Sequence, residues 1–186
     1  NNEAVAANKY DRAMAYINAQ DYEAAYTLLD GLNYEDSEEK RESIKPQYYE
    51  ILLSRASAGD TVSFGSYEQD VDESNGKEEI KWIVLEKEAD RILVISESVL
   101  DHQPYNTVCT DVTWSNCSLR QWLNDEFLNA AFTEQEKAAI PVVDVSADEN
   151  PKYSTDPGSA TQDKIFLLSI EEVSRYFSSD SARTVH

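Results

Sequence analysis

The sequence predicts an α+β protein: an N-terminal helical hairpin and a third helix, followed by a small mixed domain of strands and short helices. Three observations carry that expectation. Up to residue 57, apolar side chains recur at three- and four-residue steps. At Ala58-Gly59-Asp60 the step changes to two, the period of a strand. Further on, serine and threonine caps open short apolar helices between polar loops. The expected division is therefore a helical segment over 1–57 and an α+β domain over 58–186.

In the first segment Tyr10, Ala13 and Ile17 share one helix face, and Ala25, Leu29 and Leu32 share another. Asn18-Ala-Gln-Asp21 breaks the two runs, and the Asp21 carboxylate is placed to accept the free amides of the second helix. A third run covers 35–57, with Asp36 or Ser37 as its cap and Glu38 and Glu39 in the first turn, where the helix dipole favours acids. Pro46 predicts a kink or break there, because proline lacks the amide and crowds the preceding turn.

In the second segment Val62, Phe64 and Tyr67 flank Gly65, which predicts a strand with a bulge. Ile80-Lys-Trp-Ile-Val-Leu85 is apolar on both faces, as a central strand is. Lys87-Glu-Ala-Asp90 turns it into Arg91–Ser96. Residues 101–117 read as an irregular loop. Ser118 is the expected cap of a helix carrying Leu119, Trp122, Leu123, Phe127 and Phe132. Thr133 and Glu136 form a capping box for the next helix. The polar stretch 147–162, with Pro151, Pro157 and Gly158, predicts an exposed loop. Asp163–Leu168 is the expected last strand, and Ser169 caps a helix through Phe177.

Composition narrows the function. The 186 residues suffice for a packed core, and 11 tyrosines with 3 tryptophans mark a folded chain. A formal charge of −20 repels phosphate backbones and anionic bilayers, so nucleic acid is not an expected partner. The bland reading of that charge is solubility; the sharper one is weak cation binding or attraction of a basic partner. No apolar run is long enough to span a membrane, and no signal peptide is visible at Asn1.

Tested motif by motif, the chain offers little reactive chemistry. The only histidines are His102 and His186. His102 lies in a loop within reach of Cys109 or Ser98, but an exposed or structural histidine is the simpler reading. Neither a nucleophile elbow nor a zinc-protease helix occurs, and the five glycines form no phosphate loop. Cys109 and Cys117 have neither zinc-knuckle nor dithiol spacing; they read as free buried thiols, or as a short disulfide in an oxidising compartment. Asp70-Val-Asp-Glu-Ser-Asn-Gly76 offers oxygens at alternate positions, a pattern that suits weak calcium binding at Asp70 and Asp72. Asn75 stands where an EF-hand needs glycine and Lys81 where it needs a bidentate glutamate, and the stretch reads as a solvated hairpin loop. Gln103-Pro104-Tyr105 lacks the carboxylate of a calcium-dependent sugar site. Trp122, at helical spacing with Leu119 and Leu123, reads as core, and Arg120 as a structural ion-pair partner, with Asp111 and Asp125 as candidates, or as exposed.

Four ordered phrases carry a resemblance: Gly59–Asp70, Trp82–Leu85, Ser118-Leu-Arg-Gln-Trp-Leu-Asn124 and Asp163-Lys-Ile-Phe-Leu-Leu-Ser169. The chain from 59 to 186 resembles an uncharacterised domain family of bacterial surface and secreted proteins. That resemblance implies a fold related to C-type lectins and formylglycine-generating enzymes, and anchoring outside the cell by an upstream segment. Relatives continue past the position of Arg183 with a Trp-Leu-Arg-Ser-Pro phrase and a closing strand, so this domain reads as truncated. Ala13-x-x-Tyr16, Asp21-Tyr-Glu-Ala-Ala25, Leu29 and Leu32 resemble a tetratricopeptide hairpin. Asn33-Tyr-Glu-Asp-Ser37 is similar to a phrase that precedes the same domain.

The expected function is a noncatalytic extracellular ligand-binding or adhesion module, without cofactor or metal. Its recognition surface would be the loops 101–117 and 147–162, with Asn150, Tyr153 and Asp156 as binding residues, because loop aromatics and carboxylates commonly make contacts. The partner would be an extracellular glycan, peptide or protein. The alternatives are a structural spacer, or an enzyme of unknown type on the formylglycine-generating-enzyme fold.

Overall fold

A computed structural model describes residues 2–72 and 74–184. The protein is α+β: three helices come first, then antiparallel strands and short helices. It forms two compact units, one of residues 1–60 with 86–93, the other of 61–85 with 94–186. Among the described residues no helix is long and apolar enough to cross a membrane.

In the first unit, α1 (Asn2–Asn18), α2 (Tyr22–Leu29) and α3 (Ser37–Arg55) pack in sequence order. Ala13 and Ala25 are completely buried and close the core with Leu29 and Ile44. Asp21 caps α2 as its chemistry requires, accepting the Ala24 amide. The start of α3 differs from the expectation. Asp36 stands at the cap position but makes no capping bond; it takes the Tyr10 hydroxyl and Lys40 instead. Ser37 turns back to the Leu32 carbonyl and accepts the Tyr34 amide, fixing the α2–α3 connection. Of the kink or break expected at Pro46, the break is corrected: α3 runs from Ser37 to Arg55 with Pro46 inside it. Burial of Ile44 and Lys45 on the preceding turn holds the helix there.

After the helices, β1 (Thr61–Tyr67), β2 (Glu78–Lys87) and β3 (Ile92–Ser96) form an antiparallel sheet with β2 in the centre; all but the 86–93 tip of the β2–β3 hairpin belongs to the second unit. Ser63 pairs with Lys81 and Ser66 with Glu79, so Phe64 and Gly65 together face Ile80. That is the bulge foreseen at Gly65, whose φ is +76°. A side chain at Gly65 would strike the Phe132 ring at 2.5 Å, and the Trp82 indole donates to the Phe64 carbonyl that the bulge turns out of the ladder, at 2.7 Å.

A helix lies against this sheet. It comprises α4 (Ser118–Trp122), a wide π turn at Leu123–Phe127 and α5 (Leu128–Ala131). Phe127, Leu128, Ala131 and Phe132 bury themselves with Ile80, and Trp122 and Leu123 pack against that cluster as expected. α6 (Glu134–Ala139) opens on the Thr133–Glu136 capping box and α7 (Ile170–Tyr176) on a Ser169–Glu172 box. A two-stranded sheet joins β4 (Val143–Val145) to β5 (Thr161–Asp163). The last strand expected over 163–168 is corrected: β5 covers Thr161–Asp163, and residues 164–168 form no strand.

Candidate functional site

The residues with most chemical potential converge where the two candidate loops end. Asp163 closes β5 and is 2% exposed. Its carboxylate accepts two bonds from Arg120 Nε (2.8 and 3.0 Å), one from the Trp114 indole (3.0 Å) and one from Thr161 Oγ1 (2.6 Å). Burial pushes its pKa up, but the Arg120, Thr161 and Trp114 donors outweigh it and hold the carboxyl below the usual range. Arg120 also donates to the carbonyls of Ser115 and Gln162. It is structural, as expected, but its partner is Asp163 rather than Asp111 or Asp125.

The next turn of the helix ties down the chain after β5. Asn124 Oδ1 accepts the amides of Lys164 and Ile165, and its Nδ2 donates to the Ile165 carbonyl. Those backbone groups are engaged by a side chain and not by a neighbouring strand, which is why regular pairing ends at Asp163. At the other end of the helix, the cap is Cys117 rather than Ser118. Its fully buried thiol donates to the Trp114 carbonyl and accepts the Arg120 amide, each at 3.5 Å. Ser118 fastens the loop instead: it accepts the Thr107 amide and its own amide donates to Asn106.

The loops 101–117 and 147–162 meet at Thr113 and Gly158. Gly158, with φ +77°, approaches Thr113 so closely that an added Cβ would lie 2.3 Å from its hydroxyl. Beyond that point stand the three expected binding residues. Asn150 is half-buried, and its Oδ1 accepts the amides of Lys152 and Tyr153, holding a tight turn. Asp156 is exposed but accepts the Gly158 amide at 2.9 Å. Tyr153 is 65% exposed, with the Lys152 amine 5.0 Å above its ring. Asn150 and Tyr153 thus share one turn, whereas Asp156 shapes the next.

Residues 89–185 match the model of a family described as a domain of unknown function, DUF6273. The chain belongs to the DUF6273 family. No curated protein matches it, and no solved structure does. The matched stretch contains the whole Arg120–Asp163 network and both loops; the first two strands precede it.

The remaining groups of this DUF6273 chain are dispersed. His102 and Cys109 are exposed, which corrects the reading of both cysteines as buried, and both thiols are free. His186 lies outside the described residues. Burial and the neighbouring Cys117 push the Tyr105 phenol up. One carboxylate cluster appears that the sequence left unseen: Glu68, Asp70 and Glu78 bring an oxygen each to within 4.8 Å of one another. Burial and the nearby Glu78 raise Glu68, while the Asp72 amide and Asn75 lower Asp70. Glu68 Oε1 is enclosed without a hydrogen-bond partner. Such a trio can share a proton or hold a hard cation through oxygens. Asp72, the other calcium candidate, bonds inward to Ser74. Glu78 also borders a shallow cleft of ≈ 230 Å³ lined by Gln69, Glu79, Lys81, Glu97 and Ser98.

Proposed function

We propose that this chain is a noncatalytic module that presents a loop surface to an extracellular ligand. The observation that carries the reading is the division of labour around Asp163. Arg120, Trp114 and Cys117, the side chains most suited to chemistry, are engaged with one another and with backbone at the roots of the loops. Tyr153 is left at the tip of a turned, exposed loop. A rigid base under an exposed aromatic is the arrangement by which loops supply recognition. Lectin-like ancestry, a tetratricopeptide-like lead and placement at a bacterial surface belong to the same proposal and rest on the sequence phrases.

A glycan and peptide array probed with the whole chain tests it. The expected result is a retained ligand whose signal falls at least tenfold, about 1.4 kcal/mol, in Tyr153→Ala, with folding unchanged. An empty array, or binding indifferent to Tyr153→Ala and Asp156→Asn, overturns it.

A further inference from the structure

The loop between β1 and β2 contains the sequence's one Asn-Gly pair, Asn75-Gly76. Both residues are exposed. Gly76 has φ +84°, and a Cβ built on it would meet nothing within 4 Å, so no neighbouring group covers that flank of the residue. The Asn75 amide Nδ2 donates to Asp70 Oδ2 at 3.1 Å, and its backbone amide donates to the Asp72 carbonyl at 3.1 Å. Asp70 belongs to the carboxylate trio with Glu68 and Glu78.

We propose that Asn75 is a site of spontaneous deamidation in the folded protein, with the Gly76 backbone nitrogen as nucleophile. That nitrogen bonds to Cγ of Asn75 and gives its proton to water. The Cγ–Nδ2 bond breaks, and Nδ2 leaves with a proton as ammonia. A five-membered imide remains. Water then opens it at either carbonyl, giving aspartate or isoaspartate, so the balance is one water consumed and one ammonia released. Glycine permits the attack because no Cβ shields its nitrogen, and an exposed loop lets the backbone rotate into reach.

The product changes the carboxylate cluster. A donor to Asp70 becomes a carboxyl group against Asp70, one member of the trio, and like charges at that range repel. The isoaspartate branch also lengthens the backbone of the β1–β2 loop by one methylene.

The experiment incubates the whole chain in mildly alkaline buffer at body temperature. It follows the mass of the peptide holding residues 75 and 76, released ammonia, and labelling by an isoaspartate methyltransferase. The expected result is a gain of about one dalton confined to that peptide, with isoaspartate present, while Asn75→Gln and Gly76→Ala each slow the gain at least tenfold. Two results overturn the proposal. In one, Asn75 survives in the folded chain while an unfolded peptide of the same sequence converts completely. In the other, Gly76→Ala converts at the wild-type rate.

Discussion

At the scale of single residues, Asp163 does the most. Its buried carboxylate receives four bonds and joins the helix, β5 and the root of one loop. Removing the charge in Asp163→Asn should destabilise the second unit by about 3 kcal/mol, the low end for a broken buried pair, because Arg120 keeps a quarter of its side chain in water. Denaturant unfolding monitored by tryptophan fluorescence measures this. The pH dependence has a definite sign. A carboxyl held below its unfolded value, about 3.9, contributes stability that is fully present above that pH and lost as pH falls through the lower folded value. Acid unfolding of Asp163→Asn should lack that component. Sequence alone allows Arg120 an acidic partner or an exposed position, and no periodicity links residues 43 positions apart. Local acids at 111 and 125 therefore looked equally suitable. The Glu68–Asp70–Glu78 group was hidden for the same reason, since β1–β2 pairing creates it. Tyr153 was legible because exposure of a loop aromatic follows from its polar, proline-bounded surroundings. Half-buried Asn150 and exposed Asp156 both shape the loop through bonds to backbone amides.

At the scale of elements, caps and periods were readable and long-range pairings were not. The Thr133 and Ser169 boxes, the Gly65 bulge and the central position of β2 all follow from local chemistry. The end of β5 does not, because Asn124 intercepts the backbone beyond it. Two glycines allow direct tests. Gly158→Ala places a methyl against Thr113 at a left-handed φ, so it should cost about 1–3 kcal/mol. It should also raise amide exchange in both loops. Gly65→Ala meets the Phe132 ring and the Ala131 carbonyl, so its damage should spread into the apolar cluster beneath β1. The Tyr67 hydroxyl donates to Asp101 at 2.5 Å. Burial and Asp101 push its pKa up to about 12. A raised pKa contributes stability that is whole below the unfolded value, about 10, and lost as pH rises through the folded one. An ultraviolet phenolate titration should therefore lose one late component in Tyr67→Phe, while that of Tyr10, also pushed up to about 12 by Asp36, remains.

At the scale of the whole molecule, the charge of −20 opposes compactness. Added sodium chloride should raise the unfolding temperature by screening that repulsion; a flat calorimetric response would show that the charges are already spaced beyond mutual reach. The chain also weaves between its two compact units. It passes from one to the other at 60/61, returns at 85/86 and leaves again at 93/94. Within the first unit, Lys87 on the hairpin tip donates to the Ser54 carbonyl at the end of α3. No single scission can therefore free either half with all its neighbours. A protease nick near 58 should yield pieces that co-migrate until denatured, and a fragment designed to begin at 58 would carry an orphaned fingertip, 86–93, stripped of the helices that house it.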